Sequence, residues 1–297
     1  MAPERAELGL GTARFGLEPS PFDRARVGEG EARAILETAA ENRVRFVDTS
    51  AYFGEAERLL GRCWPFPSPF KVICRTLRLS DGGLDRLEAR ARRSVERLGL
   101  ARAHALLIED AGDLLGPEGR ALWARLERLK EQGVFEQIGV SAHAEDAPEI
   151  IARRFRPDLM SVPCSLLDQR LVRDGTIERL AEAGVQVHLR HVFLQGLLFA
   201  PRDGLPSGLS EAGPRLSLIR RRLAEAGLDP MQAALAFALS RPGVTSAVVG
   251  VASPGELRAV LAAAARPVPD LDWSQFALDH PIALDPRRWP ANDAAAA

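Results

Sequence analysis

Charged and reactive side chains recur directly after short apolar runs in this sequence. Asp48 follows VRFV, Arg75 follows KVIC, and Glu109 with Asp110 follows HALLI. Ser141 and His143 follow EQIGV. Ser161 to Ser165 lie in and after LMSVPC. Arg190 and His191 follow VQVHL, with Gln195 and Gly196 close behind in FLQG. A charge taken out of water needs a partner, so an Asp48–Arg75 or Arg75–Glu109 pair is expected where these segments converge. Such groups also serve simply to hold loops, and only their clustering from neighbouring segments points to chemistry. His188 and His191 are three apart, which on a strand sends them to opposite faces and makes them a poor metal pair. No other His, Cys or Asp spacing reads as a metal site, and no G-x-S-x-G nucleophile motif is present.

The runs that carry these residues read as strands. They are LGLGTAR (8–14), VRFVDTS (44–50), KVICRT (71–76), HALLIE (104–109), EQIGVSA (136–142), LMSVPC (159–164), VQVHLRH (185–191) and SAVVGV (246–251). Several are almost continuously apolar, as strands covered on both faces are. Amphipathic stretches lie between them. ALWARLERLKEQG places Leu122, Leu126 and Leu129 on one face and ends at Gly133; GTIERLAEAG repeats the pattern before Gly184. PRLSLIRRRLAEAG and DPMQAALAFALSRPG predict two further helices in the long link before the last strand. Alternating strands and helices predict one (β/α)8 TIM barrel over 1–297, with a C-terminal tail from about residue 267 that wraps it and frays at the terminal alanines. A doubly wound sheet is the alternative, but GLGTARFG after the first strand lacks the G-x-G-x-x-G spacing. In SPGE, Ser253 is a good N-cap, Pro254 suits the first helical position and Glu256 completes a capping box. The N-terminus of that helix, just after the last strand, is a place where a phosphate can bind.

The totals narrow the partners. The chain has 297 residues, 46% hydrophobic, with a formal net charge of -1. That balance argues against nucleic acid and against a polybasic membrane surface. No apolar run approaches the roughly 20 residues of a membrane helix. MAPERAELGLG lacks the layout of a signal peptide. The three cysteines, Cys63, Cys74 and Cys164, are odd in number and widely spaced. These features predict a cytoplasmic protein with reduced thiols and a small-molecule substrate.

With LGLGTARFG, FVDTSAYFGEAERLLG, FKVICRT, LLIED, IGVSA, VPCSLLDQRL, FLQGLL and PGVTSAVVGVASPGEL in this order, the sequence resembles the aldo/keto reductases over roughly residues 8 to 262. The resemblance implies a (β/α)8 barrel that binds NADPH or NADH and reduces aldehydes or ketones. The family's catalytic Asp, Tyr, Lys and His fall on Asp48, Phe53, Arg75 and Glu109, so three of the four are changed. Gly54 and Glu57 keep their offsets from Asp48, which leaves the only tyrosine, Tyr52, one place early. The resemblance carries cofactor contacts onto Ser141, Ser161, Arg190, Gln195, Gly196, Gly250 and Ser253, with Arg258 as a substitute cation. Ala142 stands where an Asn holds the nicotinamide carboxamide, Ser161 where a Gln does, and Arg190 where an aromatic stacks on the ring. Ala252 replaces the basic residue that takes a 2′-phosphate, so the choice between NAD and NADP stays open. Tyr52, His143 and His191 are the expected substrate contacts.

Phe53 cannot donate a proton, and Arg75 keeps a positive charge while never releasing it. Loss of a general acid alone costs about 100- to 10,000-fold in rate. The expected function is an NAD(P)-linked oxidoreductase with a rewired site, acting on a small polar carbonyl compound, anionic or sugar-derived. Two alternatives stand beside it. One is a barrel that binds a metabolite or partner without redox chemistry. The other is a lyase or isomerase with Glu109 and Asp48 as acid and base and Arg75 as anion clamp.

Overall fold

A computed structural model describes residues 5–17, 27–201 and 204–289. The eight apolar runs are eight parallel strands: β1 (Glu7–Gly11), β2 (Phe46–Asp48), β3 (Lys71–Arg75), β4 (Ala103–Ile108), β5 (Phe135–Ser141), β6 (Leu159–Pro163), β7 (Gln186–Arg190) and β8 (Val244–Gly250). Each pairs with the next, and β1 pairs with β8 to close the barrel. This is the predicted single (β/α)8 barrel.

The interleaved helices are α1 (Glu29–Glu41), α2 (Ala56–Cys63), α3 (Gly83–Arg97), α4 (Ala111–Leu115), α5 (Gly119–Glu131), α6 (Pro148–Phe155), α7 (Arg170–Arg173), α8 (Thr176–Glu182), α9 (Gly213–Glu225), α10 (Pro230–Leu239) and α11 (Pro254–Ala264). Their apolar faces join the outward strand residues in one continuous core, in which Leu122, Leu126 and Leu129 of α5 are fully buried. A smaller cluster of Phe46, Ile73, Ala105, Leu107 and Leu159 fills the barrel interior. Helix starts follow the sequence signals. Asp229 caps α10 ahead of Pro230, and Ser253 Oγ accepts from Glu256 N at the start of α11. The Glu256 carboxylate accepts from Ala252 N at 2.7 Å, so the cap reaches one residue further back than a standard capping box.

The tail is tied to the barrel. Gln169 Nε2 donates to Trp273 O at 2.7 Å, Leu278 N to Leu167 O at 2.8 Å, and Arg215 to the carbonyls of Gln275 and Ala277. Trp273 packs edge-on against Phe237, and Phe276, Ala283 and Leu284 are buried. The terminal alanines lie outside the described residues.

Inside the barrel, His188 of β7 sits in register with Ser161 of β6 and Ser246 of β8. It meets Phe46 edge-to-face at 4.7 Å. Burial, then the charges of His104 and Lys71, hold its pKa down to about 3 against an ordinary 6.5. The unfolded chain therefore binds a proton that the folded chain refuses between those values, and stability falls as pH drops from 6.5 toward 3. The slope reaches about 1.4 kcal/mol per pH unit for one such group. Urea unfolding of His188→Leu and the parent at pH 6.5 and pH 4.5 checks this: the parent is expected to lose about 2 kcal/mol more over that interval. Equal losses in the two proteins reject it.

Candidate active site

Three strands deliver an ion cluster to the C-terminal mouth of the barrel. Arg75 ends β3, Asp48 ends β2 and Glu109 follows β4. Arg75 Nη2 donates to both carboxylate oxygens of Asp48, at 3.0 and 3.1 Å. Its Nη1 donates to Ser141 Oγ at 3.1 Å and lies 3.6 Å from Glu109 Oε2. Both predicted pairings of Arg75 therefore exist at once. Asp48 is 5% exposed and Arg75 8%, so water screens neither. Burial alone would lower the Arg75 pKa, but the charge of Asp48 and then that of Glu109 more than reverse it.

The loop after β2 is set by close backbone approaches. Thr12 donates to Asp48 O through both its N–H and its hydroxyl, and Thr49 N donates to Ile73 O. Gly54 has φ +53°, and a Cβ there would meet Gly16 O at 2.4 Å. Phe53 follows, half-buried and packed against the core. Tyr52 points its hydroxyl into another network. It donates to Asp81 and accepts from Arg78 N at 2.8 Å. Its pKa is raised to about 12 by burial and then by the bond to Asp81. That proton is already committed.

The opposite side of the mouth is built by β5 to β7. Arg190, 6% exposed, donates through Nη1 to Ala142 O at 3.1 Å and Ser161 O at 3.0 Å. Among the described residues no carboxylate lies within 4.0 Å of it. Burial, then the charge of Arg75, holds it down to about 9, which still leaves it protonated at neutral pH. Ser161 Oγ is buried without a hydrogen-bond partner. His143 and His191 face each other with ring centroids 6.5 Å apart. His191 has φ +61°, a left-handed backbone rarely taken by a residue with a Cβ. Its Nδ1 is shielded and unbonded although the residue keeps some exposed surface. Burial and then Arg190 hold the His143 pKa down to about 3; burial, Arg190 and His143 push His191 well below its usual range.

Asp48, Arg75, Glu109 and Ser141 thus touch directly. Arg190, Ser161, His143 and His191 line the same mouth, and Tyr52 is drawn aside. Gln195, at φ +50°, is exposed beside Gly196 after β7. Gly250 ends β8, Ser253 caps α11, and Arg258 is exposed on α11. Sequence reasoning missed three side chains. Asp81 accepts the hydrogen bond of the Tyr52 hydroxyl. Asp285 and Arg287 come from the tail, where the Asp285 carboxylate accepts from Arg287 Nε and Nη2 at 2.9 Å. Their charges reach His143. Only the Asp-Pro step at 285–286, a helix-start signal, marked that position in the sequence.

A profile of the Aldo/keto reductase family matches residues 7–277. The chain belongs to the aldo/keto reductase family. An aldo-keto reductase of Mycolicibacterium smegmatis is 30% identical over 156 residues, covering 50% of this chain and 54% of that protein, so the chain spans about half the length of that relative. The D-threo-aldose 1-dehydrogenase of a Pseudomonas species is 27% identical over 319 aligned positions, 91% of this chain and 92% of that protein. The holo form of aldo-keto reductase AKR11C1 from Bacillus halodurans shares the fold at a TM-score of 0.71, with 18% identity and coverage of 93% and 94%. Among the described residues no helix is long and apolar enough to cross a membrane.

Two variants separate the mouth from its rim. Arg75→Ala strands the buried Asp48 carboxylate without its partner and is expected to cost about 3–5 kcal/mol of stability. Tyr52→Phe removes two peripheral bonds, to Asp81 and from Arg78 N, and is expected to cost about 1–2 kcal/mol. Chemical denaturation measures both; a milder loss in Arg75→Ala than in Tyr52→Phe contradicts this ranking.

Proposed function

We propose that this reductase-family barrel is an NAD(P)-linked oxidoreductase of small anionic carbonyl compounds, sugar acids or phosphorylated sugars among them. The observation that carries the reading is Arg190, a buried cation at the mouth with no carboxylate beside it among the described residues. Such a charge is satisfied by an anionic ligand. Arg75 is spoken for by Asp48, Glu109 and Ser141, and it acts by fixing the electrostatics of the mouth. The aldose dehydrogenase among the relatives supports a sugar-derived substrate.

The residues fit a nicotinamide dinucleotide in kind. Ser161 Oγ is a buried hydroxyl with no partner, and Ser141 Oγ accepts from Arg75 while retaining its own O–H. A Cβ at Gly250 would meet nothing closer than Gly11 O at 3.8 Å, so the end of β8 leaves room for close approach. The capped start of α11 suits a diphosphate. Glu256 opposes that charge, and Arg14, 4.0 Å from it, offsets the opposition. Ser141 and Ser161 would hold the amide, with Gly250 and Ser253 near the diphosphate. When bound, the reduced nicotinamide supplies hydride. The chain's own residues hold the substrate anion at Arg190 and exclude water from the Arg75 cluster. No side chain equivalent to a catalytic tyrosine stands by, which makes the proton the slow partner. Three buried free cysteines support a reducing compartment, and we propose the cytoplasm.

One observation favours a second reading. The Arg190 guanidinium lies across the carbonyls of Ala142 and Ser161, at the edge where the carboxamide would dock, and Ala142 offers no side-chain bond. A barrel that binds its anion without hydride transfer fits that arrangement.

Calorimetry with NADPH and NADH, followed by turnover over a carbonyl panel, decides between them. Micromolar binding of either nucleotide is expected, with slow turnover that favours anionic over neutral aldehydes. Arg190→Leu is expected to raise KM for the anionic substrates about tenfold or more while leaving neutral ones little changed. Absence of hydride transfer from either nucleotide to every carbonyl tested hands the case to the second reading.

A further inference from the structure

We propose that Arg190, His143 and His191 form an oxoanion site that takes up one proton as it fills. A carboxylate, phosphate or sulfate group is held there by the guanidinium and by a newly formed imidazolium. The inference takes from the proposed function only the location of the substrate, and it holds whether or not hydride moves.

The geometry carries it. Two imidazole rings lie with centroids 6.5 Å apart beside a buried arginine that, among the described residues, has no carboxylate within 4.0 Å. The His191 Nδ1 is shielded and bonded to nothing, and its backbone is held at φ +61°. Strain of that kind persists where surrounding structure enforces it and clusters at ligand sites. Arginines and carboxylates both face the pair, and Arg190 contributes the largest charge effect on each ring. Arg190 and Arg75 act on both rings, Arg287 acts on His143, and Asp285 opposes them. The Asp146 carboxylate accepts from the His143 backbone N–H, and Asp48 and Glu109 answer Arg75. Burial first, and then the charge of Arg190, keep both imidazoles neutral in the free protein.

An anion beside Arg190 offsets the largest of the charges that lower both histidine pKa values and places a negative charge next to the rings. Two unit charges about 4 Å apart near a protein surface interact strongly enough to move a pKa by several units. The balance is simple: the anion and one proton from solvent enter together, and neutral imidazole becomes imidazolium. If the same ligand carries a carbonyl, that imidazolium is the chain's own proton donor to the carbonyl oxygen and returns to neutral imidazole; a bound reduced nicotinamide would supply the hydride that completes the alcohol, and would leave oxidised. The substrate thus brings the acid that Phe53 cannot supply.

Sulfate and formate are the probes, since neither changes protonation between pH 7.5 and 5.5. Calorimetry in two buffers of different ionisation enthalpy counts the protons taken up. Uptake approaching one proton is expected, with affinity rising as pH falls, by up to about tenfold per pH unit. His143→Gln and His191→Gln are expected to bind the anion with reduced uptake, and Arg190→Gln to lose binding. If Arg190→Gln does not fold, the two histidine variants decide alone. Formate without sulfate assigns a planar carboxylate ligand, and sulfate without formate a phosphate-type ligand; either supports the proposal. No binding to the parent protein overturns it. So does flat affinity across this pH range, or unchanged uptake in both histidine variants. Binding with uptake but no hydride transfer to any carbonyl leaves this proposal standing and removes the oxidoreductase reading.

Discussion

Everything at the barrel mouth is organised around one buried guanidinium. Arg75 leaves water almost completely, and the cost of that transfer dictates its surroundings. β2 must end on Asp48, β4 must present Glu109, and β5 must offer the Ser141 hydroxyl. The backbone beneath obeys the same demand. Thr12 pins the Asp48 carbonyl from β1, and Gly54 lets the following loop come within contact of Gly16. A guanidinium does not give up its proton at any physiological pH, so this half of the mouth holds charge and does not relay it.

The titratable imidazoles lie on the other side of the barrel. The β2–β4 side is locked in ion pairs, with Phe53 as an inert wall. The β5–β7 side carries two neutral imidazoles, a buried hydroxyl and a second arginine that donates to the carbonyl oxygens of Ala142 and Ser161. One side sets the field and the other answers it. The tail joins the second side, since Asp285 and Arg287 act on His143 from beyond the last strand.

What could be read in advance follows from the range of each interaction. Eight strands were legible because buried parallel strands are apolar along their whole length, and the Asp48–Arg75–Glu109 cluster because each residue ends such a run. The capping of α11 was legible at Ser253, where the signal is four residues long. Its true partner geometry was not: Glu256 reaches Ala252 N, a detail set by how the β8 loop enters the helix. The bond from Tyr52 to Asp81 spans 29 positions and leaves no local trace. Asp285 lies further still from the histidine it influences. The direction taken by Arg190, down onto Ala142 and Ser161, depends on packing that spacing does not encode.

The closure of β1 on β8 has a consequence for how the chain is made. Five residue pairs join Glu7–Gly11 to Ser246–Gly250, and Ala6 N reaches Leu239 O. On a ribosome adding about 5–20 residues per second, the partner of β1 appears roughly 10–50 s after β1 itself. Throughout that interval β1 has only its short pairing with β2, and its other edge is open to any strand nearby. Until β8 emerges, β1 lacks the five pairs that close the ring, and translation of the intervening segments, α9 and α10 included, sets the length of that wait.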